Sequence, residues 1–307
     1  MTSAPATRPA ALRILVGGFA VVYLVAMAPE FWRTFALESR RWEPVGPLAW
    51  LGEPPPATVT RALLLAAIAT GAAFTAGWRY RATAPAFALL LLAVTTARNS
   101  WGQVWHTENL LVLHVVILAL APAAAAWSVD ARRRTGPPPD PAERFAWAAF
   151  LMSIATVTTY VLAGVTKLRE GGVDWVLGDT LRNQVAYDNV RKAALGAGTS
   201  PFAGAVLPHG WLFVPMAIAT LAVELGAPLA LTGRRAARWW AAAAWSFHAG
   251  VLALMAIGFP YPLSGVAFAS LFPLDRVGIA LSRQRRLARW TRSPRSSAPA
   301  PTTTTSG

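Results

Sequence analysis

The sequence predicts an all-α, polytopic transmembrane helix bundle of about eight spans with both termini cytoplasmic, and three observations carry that expectation. Apolar residues make up 55% of the 307 residues and charged ones only 14%, against about 25% charged in an ordinary soluble domain. Such a chain lacks the polar surface to coat a water-soluble globule, so its main solvent is lipid. The apolar residues also fall in runs that approach the ~20 residues a spanning helix needs. Finally, arginine concentrates on alternate connecting segments, as the positive-inside rule requires.

The runs lie near 12–29, 61–77, 82–97, 109–127, 145–165, 210–232, 237–257 and 262–281. The second and third are short and rich in alanine. With the N-terminus inside, the inner segments carry Arg79 and Arg81, then Arg132, Arg133, Arg134 and Arg144, then Arg234, Arg235 and Arg238, and finally an arginine-rich tail from Arg276 onward. The outer segments are a charge-balanced loop around Trp42, a short one with Arg98, a mixed one from Lys167 to His209, and an uncharged turn at Pro260 to Pro262. Residues 1–11 and the basic tail 282–307 are low in complexity and are expected to be disordered, which leaves 12–281 as the transmembrane domain. Gly136 to Pro139 and Glu53 to Pro56 read as stiff connectors.

Composition also removes several function classes. The net charge of +14 comes from arginines in short runs between apolar stretches, which marks topology and not nucleic-acid binding. The chain has no cysteine, so disulfides, CxxC redox pairs and thiolate metal sites are excluded. Four histidines remain, and no metal is expected. The expected location is the cell membrane, as a multi-pass protein whose first partner is the bilayer.

Lipid makes each ionisable group costly, so such a residue within or at the end of a span is a functional candidate. Near the outer ends lie His106, Glu108, Lys167, Asp174, Asp179, His209 and Tyr261; deeper lie His114, Glu224 and His248. Glu224 and His248 fall near mid-depth on consecutive antiparallel spans and are expected to meet as a membrane-buried polar pair, either locking two helices or handling a proton. His114 reads as a satisfied core histidine. Of 28 basic residues only Lys167 and Lys192 are lysine. A lysine at the end of a span can simply snorkel to the interface. When desolvated or placed beside another cation it becomes a usable base, which arginine does not.

Three stretches carry a resemblance. Tyr160-Val-Leu-Ala-Gly-Val-Thr-Lys-Leu is followed by Asp174-Trp175-Val and Gly178; Trp245-Ser-Phe-His248 is followed by Ile257-Gly-Phe259-Pro-Tyr261 and Ser270-Leu-Phe272; Trp127-Ser-Val-Asp130 closes the fourth span. In this order and spacing they resemble the HTTM family of membrane proteins, which includes the vitamin K-dependent gamma-glutamyl carboxylases, over about residues 12–281. The resemblance implies an extracytoplasmic site at which a lysine deprotonates a vitamin K hydroquinone-like reduced quinone. Oxygen then converts the quinone to a strong base that removes a γ-proton from glutamate, so that carbon dioxide can add. The family's base lysine falls on Lys167, and the histidine at the carbanion end falls on His106. Trp101, Trp105 and Trp175, with His248 and Tyr261, are the expected quinone-contacting residues, although tryptophans at these depths also serve as an interfacial belt. Where animal enzymes carry a second lysine, this chain has Thr166.

Two functions remain open on the residues. One is a carboxylase-like enzyme, a carbon-carbon lyase or quinone epoxidase, acting on a protein or peptide substrate at the outer face. The other is a non-catalytic membrane scaffold or small-solute carrier in which the same motifs maintain helix packing. The second expects Gly164, Gly178 and Gly258 to matter and Lys167 and His106 to tolerate substitution.

Overall fold

Backbone N–H and C=O groups in lipid must be paired within the protein, and a helix pairs them within one segment. The computed structural model accordingly is all-helical, with no strand among the described residues, which are 4–102, 108–136, 143–274 and 276. Four helices are long and apolar enough to cross a membrane: α1 (Thr7–Thr34), α2 (Ala57–Ala76), α3 (Tyr80–Asn99) and the part of α6 from Phe145 to Val176. Between them lie α4 (Asn109–Leu120) and the short α5 (Val129–Arg133); α6 as a whole runs Glu143–Val176, with a non-helical break at Gly172. The chain continues through α7 (Asp179–Ala194), α8 (Pro201–Val206), α9 (Phe213–Leu225), α10 (Arg234–Met255) and α11 (Pro260–Leu263).

The eight apolar runs are thus all helical to some extent, but they are unequal. At 12 residues, α4 is roughly 18 Å long, well short of a hydrocarbon core of about 30 Å. Pro122 stops it, because the residue before a proline is pushed out of the α region, and Ala121 is indeed extended. The run at 210–232 divides at Gly226 into α9 and a 3-10 turn over Ala227–Leu231 that contains Pro228. The expected continuous span at 262–281 does not form over its described part. Pro260 and Pro262 permit only α11, Gly265 turns at φ 76°, and a 3-10 segment Val266–Leu271 follows. That segment still buries Phe268 and Leu271 in the core.

The main core gathers residues from α1, α2, α3, α4, α6 and α10. α2 packs antiparallel against α3 across a tight turn. Gly77 is left-handed, and the Trp78 N–H reaches back to the Ala73 carbonyl at 3.0 Å, satisfying an orphan carbonyl at the end of α2. Asp130 then accepts the backbone N–H groups of Arg79 (2.9 Å) and Tyr80 (2.8 Å), capping α3 from a distant segment. The tetrapeptide Trp127 to Asp130 is the clasp of this end of the bundle. Trp127 offers its carbonyl to the buried Arg13 guanidinium at 2.6 Å, and Ser128 caps α5 through the Ala131 N–H at 2.8 Å.

Candidate functional site

Tyr160, Gly164 and Lys167 follow one another at i, i+4 and i+7 along α6, so they share one face. That face meets α9 closely because Gly164 has no side chain. A Cβ there would stand 3.0 Å from the Glu224 Cβ and 2.9 Å from the Leu225 Cδ2. The close approach brings the Glu224 carboxylate to the Lys167 ammonium, and the two form an ion pair and hydrogen bond. Lys167 keeps 23% of its side-chain surface exposed, whereas Glu224 keeps 2%, so the cation is reachable and the carboxylate is sealed from water. The ammonium also lies 5.4 Å from the centroid of the buried Trp175 ring, which offers it a cation–π face.

His248 on α10 completes the group. Its Nε2 stands 2.7 Å from the Tyr160 hydroxyl, and its ring packs on Phe259 with centroids 5.0 Å apart. Trp240 holds α10 against α9 by donating from Nε1 to the Val223 carbonyl at 2.9 Å. Lys167, Glu224, Tyr160, His248 and Tyr261 line one cavity of about 340 Å³, whose remaining wall is mostly apolar, with Phe247, Ile257 and Phe259 among it. One Glu224 oxygen, Oε2, is buried and has no hydrogen-bond partner among the described residues. The Tyr261 hydroxyl lies 2.7 Å from His114 Nδ1, while His114 Nε2 lies 3.1 Å from the Met152 carbonyl. A carbonyl only accepts, so a neutral His114 carries its proton on Nε2 and Tyr261 donates to Nδ1. The Tyr261 oxygen is then left with acceptor capacity.

The sequence-expected pairing of Glu224 with His248 is therefore corrected in its partners. Both line the same cavity, but Glu224 is hydrogen-bonded to Lys167 on α6, and His248 to Tyr160 on α6. Helix α6 supplies both of these hydrogen bonds. His114 is fully buried with both ring nitrogens occupied, as a core histidine should be. Trp175 packs beside the Lys167 ammonium and Trp101 packs edge-on against Trp42 with centroids 5.1 Å apart, and neither is part of the cavity lining. His106 and Trp105 lie outside the described residues. The site gains Tyr160, which sequence reasoning missed although it stands two helical turns before Lys167, and Gln184 from α7, for which no local pattern gave a sign.

A second buried polar cluster joins α1, α3 and the start of α4. Arg98 pairs with Glu108, to which the Tyr23 hydroxyl also donates, and Arg98 lies 5.2 Å from the Phe31 ring centroid. Its groups satisfy one another, the usual condition for burying charge.

These features can be set beside known proteins. The family model for the HTTM domain matches residues 7–273. The chain belongs to the HTTM family. No curated protein and no solved structure matches the chain. The HTTM match spans every member of the cavity group, from Tyr160 to Tyr261, and with the apolar helices it makes the chain an integral membrane protein.

Proposed function

We propose that this HTTM protein is a membrane enzyme of the vitamin K-dependent carboxylase type, in which the Lys167–Glu224 pair takes a proton from a reduced quinone bound in the adjoining cavity. The observation that carries the reading is the buried carboxylate with one unpartnered oxygen, paired with the cavity's only lysine and opening onto apolar walls. The residues fit such a ligand. A volume of about 340 Å³ falls within the range of small-molecule sites, and mostly apolar walls with a few convergent polar groups are their usual lining. Tyr261 and Glu224 Oε2 would accept from hydroxyl groups, and Phe247, Phe259 and Ile257 would flank the ring. Bound there, a reduced quinone would supply an ionisable hydroxyl and the electrons for oxygen chemistry.

The proton bookkeeping lies within the pair. Passing the ammonium proton across the hydrogen bond converts an ion pair into a neutral amine and a carboxylic acid, which a low-dielectric site favours over separated charges. The neutral Lys167 amine can then accept a hydroxyl proton. It ends as an ammonium, and Glu224 holds the proton it received. Arginine in the same place keeps the charge and the ion pair but releases no proton.

The test is hydroquinone-dependent oxygen uptake by the purified protein in liposomes. Lys167→Arg is expected to fold, insert and bind yet lose about a hundredfold or more in rate, the usual contribution of a general base. Wild-type rates in that variant would overturn Lys167 as the base. Absent uptake in the parent protein would overturn the enzyme reading and leave the pair as a lock between α6 and α9.

A further inference from the structure

We infer that a second cavity, at the opposite end of the bundle from Lys167, binds the phosphate headgroup of an anionic phospholipid. It is independent of the proposed chemistry. The cavity, of about 570 Å³, is formed where the α2–α3 turn meets the segment after α4, and Arg79, Arg81 and Arg134 line it together with Asp130. Two segments some fifty residues apart in sequence bring these arginines together, and the clasp of Asp130 on the α3 backbone and Trp127 on Arg13 fixes their relation.

The charge balance of the cavity calls for an anion. Asp130 is the one acid in its lining, and both of its oxygens already accept backbone N–H groups. Among the described residues no carboxylate oxygen comes within ion-pair distance, 4.0 Å, of Arg79, Arg81 or Arg134. The contacts these arginines make are weak. Arg134 donates to the Ala125 carbonyl at 3.4 Å, and Arg79 stacks 5.2 Å from the Trp78 ring centroid. Three guanidinium groups around one concavity suit phosphate, which accepts their planar forks in pairs.

Two features favour a lipid over free phosphate. The rest of the lining is apolar, with Phe145, Pro122, Ala124 and Ala125 beside the arginines, a surface that an acyl-glycerol unit covers and an inorganic ion does not. Trp78 adjoins Arg79 and Trp127 lies between Ala125 and Asp130 in the chain, and these two tryptophans are 40% and 38% exposed. Partly exposed tryptophans at the ends of membrane helices sit at headgroup depth, where basic pockets between helices hold anionic lipids.

The experiment uses the full chain in detergent micelles and reads lipid retention by native mass spectrometry. Phosphatidylglycerol and phosphatidylcholine with identical acyl chains are offered in competition. The wild-type protein is expected to retain phosphatidylglycerol preferentially, and Arg79→Gln/Arg81→Gln/Arg134→Gln to lose that preference by about tenfold or more, as removal of three near-surface cations should. Arg132→Gln/Arg133→Gln, which removes charge from exposed α5 outside the cavity, should keep it. Should the triple variant fail to fold, Arg134→Gln alone is read, with a smaller loss expected. Equal retention of both lipids by the wild type, equal loss in the α5 variant, or displacement of phosphatidylglycerol by millimolar inorganic phosphate would overturn the proposal.

Discussion

An ammonium and a carboxylate that meet within the apolar part of a bundle are each dear to bury alone, and this fixes what substitution of Lys167 and Glu224 should do. Glu224→Ala leaves an unpaired cation beside α9 and is expected to destabilise the protein by about 3 kcal/mol, near the lower end for breaking a buried pair because Lys167 keeps 23% exposure. Lys167→Met/Glu224→Leu removes both charges and should recover most of that loss. The reading is a thermal-unfolding midpoint in detergent. A double variant as unstable as the single one would mean that the pair is not the source of the cost. The same double variant should show no hydroquinone-dependent oxygen uptake, so stability and activity separate. Lys167 was legible in the sequence from its rarity and its place just past the expected end of the span at 145–165, although α6 in fact runs on to Val176. Glu224 was legible as a buried acid, but its partner was not, because depth along two consecutive helices says nothing of what a third helix, α6, presents to each of them. The sign that was available is Gly164, whose missing side chain marks where α6 and α9 approach.

Helix contacts at the next scale make different demands on glycines that look alike in sequence. At Gly164 a Cβ meets Glu224 and Leu225 at 3.0 Å or less, and at Gly178, with φ 84°, it meets the Phe213 backbone at 2.7 Å. Gly258 has no atom within 4 Å of that position and no positive φ, so the expectation that it matters for close packing is not met. Gly164→Val should therefore cost about 1–3 kcal/mol as overpacking and loosen the Lys167–Glu224 contact, while Gly258→Ala stays within about 0.5 kcal/mol. Melting curves of the two variants check this, and equal effects would refute it. The C-terminal end of α10 is held by another device. Ser200, Asn189 and Lys192 donate to the carbonyls of Ala253, Leu254 and Met255, which at the end of the helix would otherwise be orphaned. Asn189→Ala is expected to cost about 1 kcal/mol and to speed amide exchange over 252–258; unchanged exchange there would count against a capping role. Apolar runs located α10, but these caps come from the polar stretch from α7 to Ser200, whose partners lie some sixty residues away, which no local pattern reveals. The run at 262–281 misled, over its described part, for a different reason: its hydropathy is that of a span, but Pro260, Pro262 and Gly265 decide the backbone.

Over the whole molecule, the arginine asymmetry and the helix packing can be read against each other. Arg13 at the start of α1 meets Trp127 and the α2–α3 turn, whereas Tyr23, further along α1, meets Arg98 and Glu108 at the far end of α3. Helices α1 and α3 therefore run the same way, with the Arg79, Arg81 and Arg134 cluster at their starting end. Positive-inside reasoning predicts that this end faces the cytoplasm and that the α7 to α8 segment beyond Lys167 faces outward. The chain contains no cysteine, so single cysteines report sidedness without a background. Gly198→Cys, in the exposed stretch between α7 and α8, should react with a membrane-impermeant maleimide in intact cells. Thr135→Cys, exposed just after α5, should react only once the membrane is opened. Because α6 is the long apolar helix between these two positions, the pair of labels also tests whether α6 returns the chain to the outside. Labelling of both positions in intact cells would show that α6 does not cross between them. Labelling of Thr135→Cys alone would invert the molecule, and would put the Lys167 cavity on the side that its family resemblance excludes.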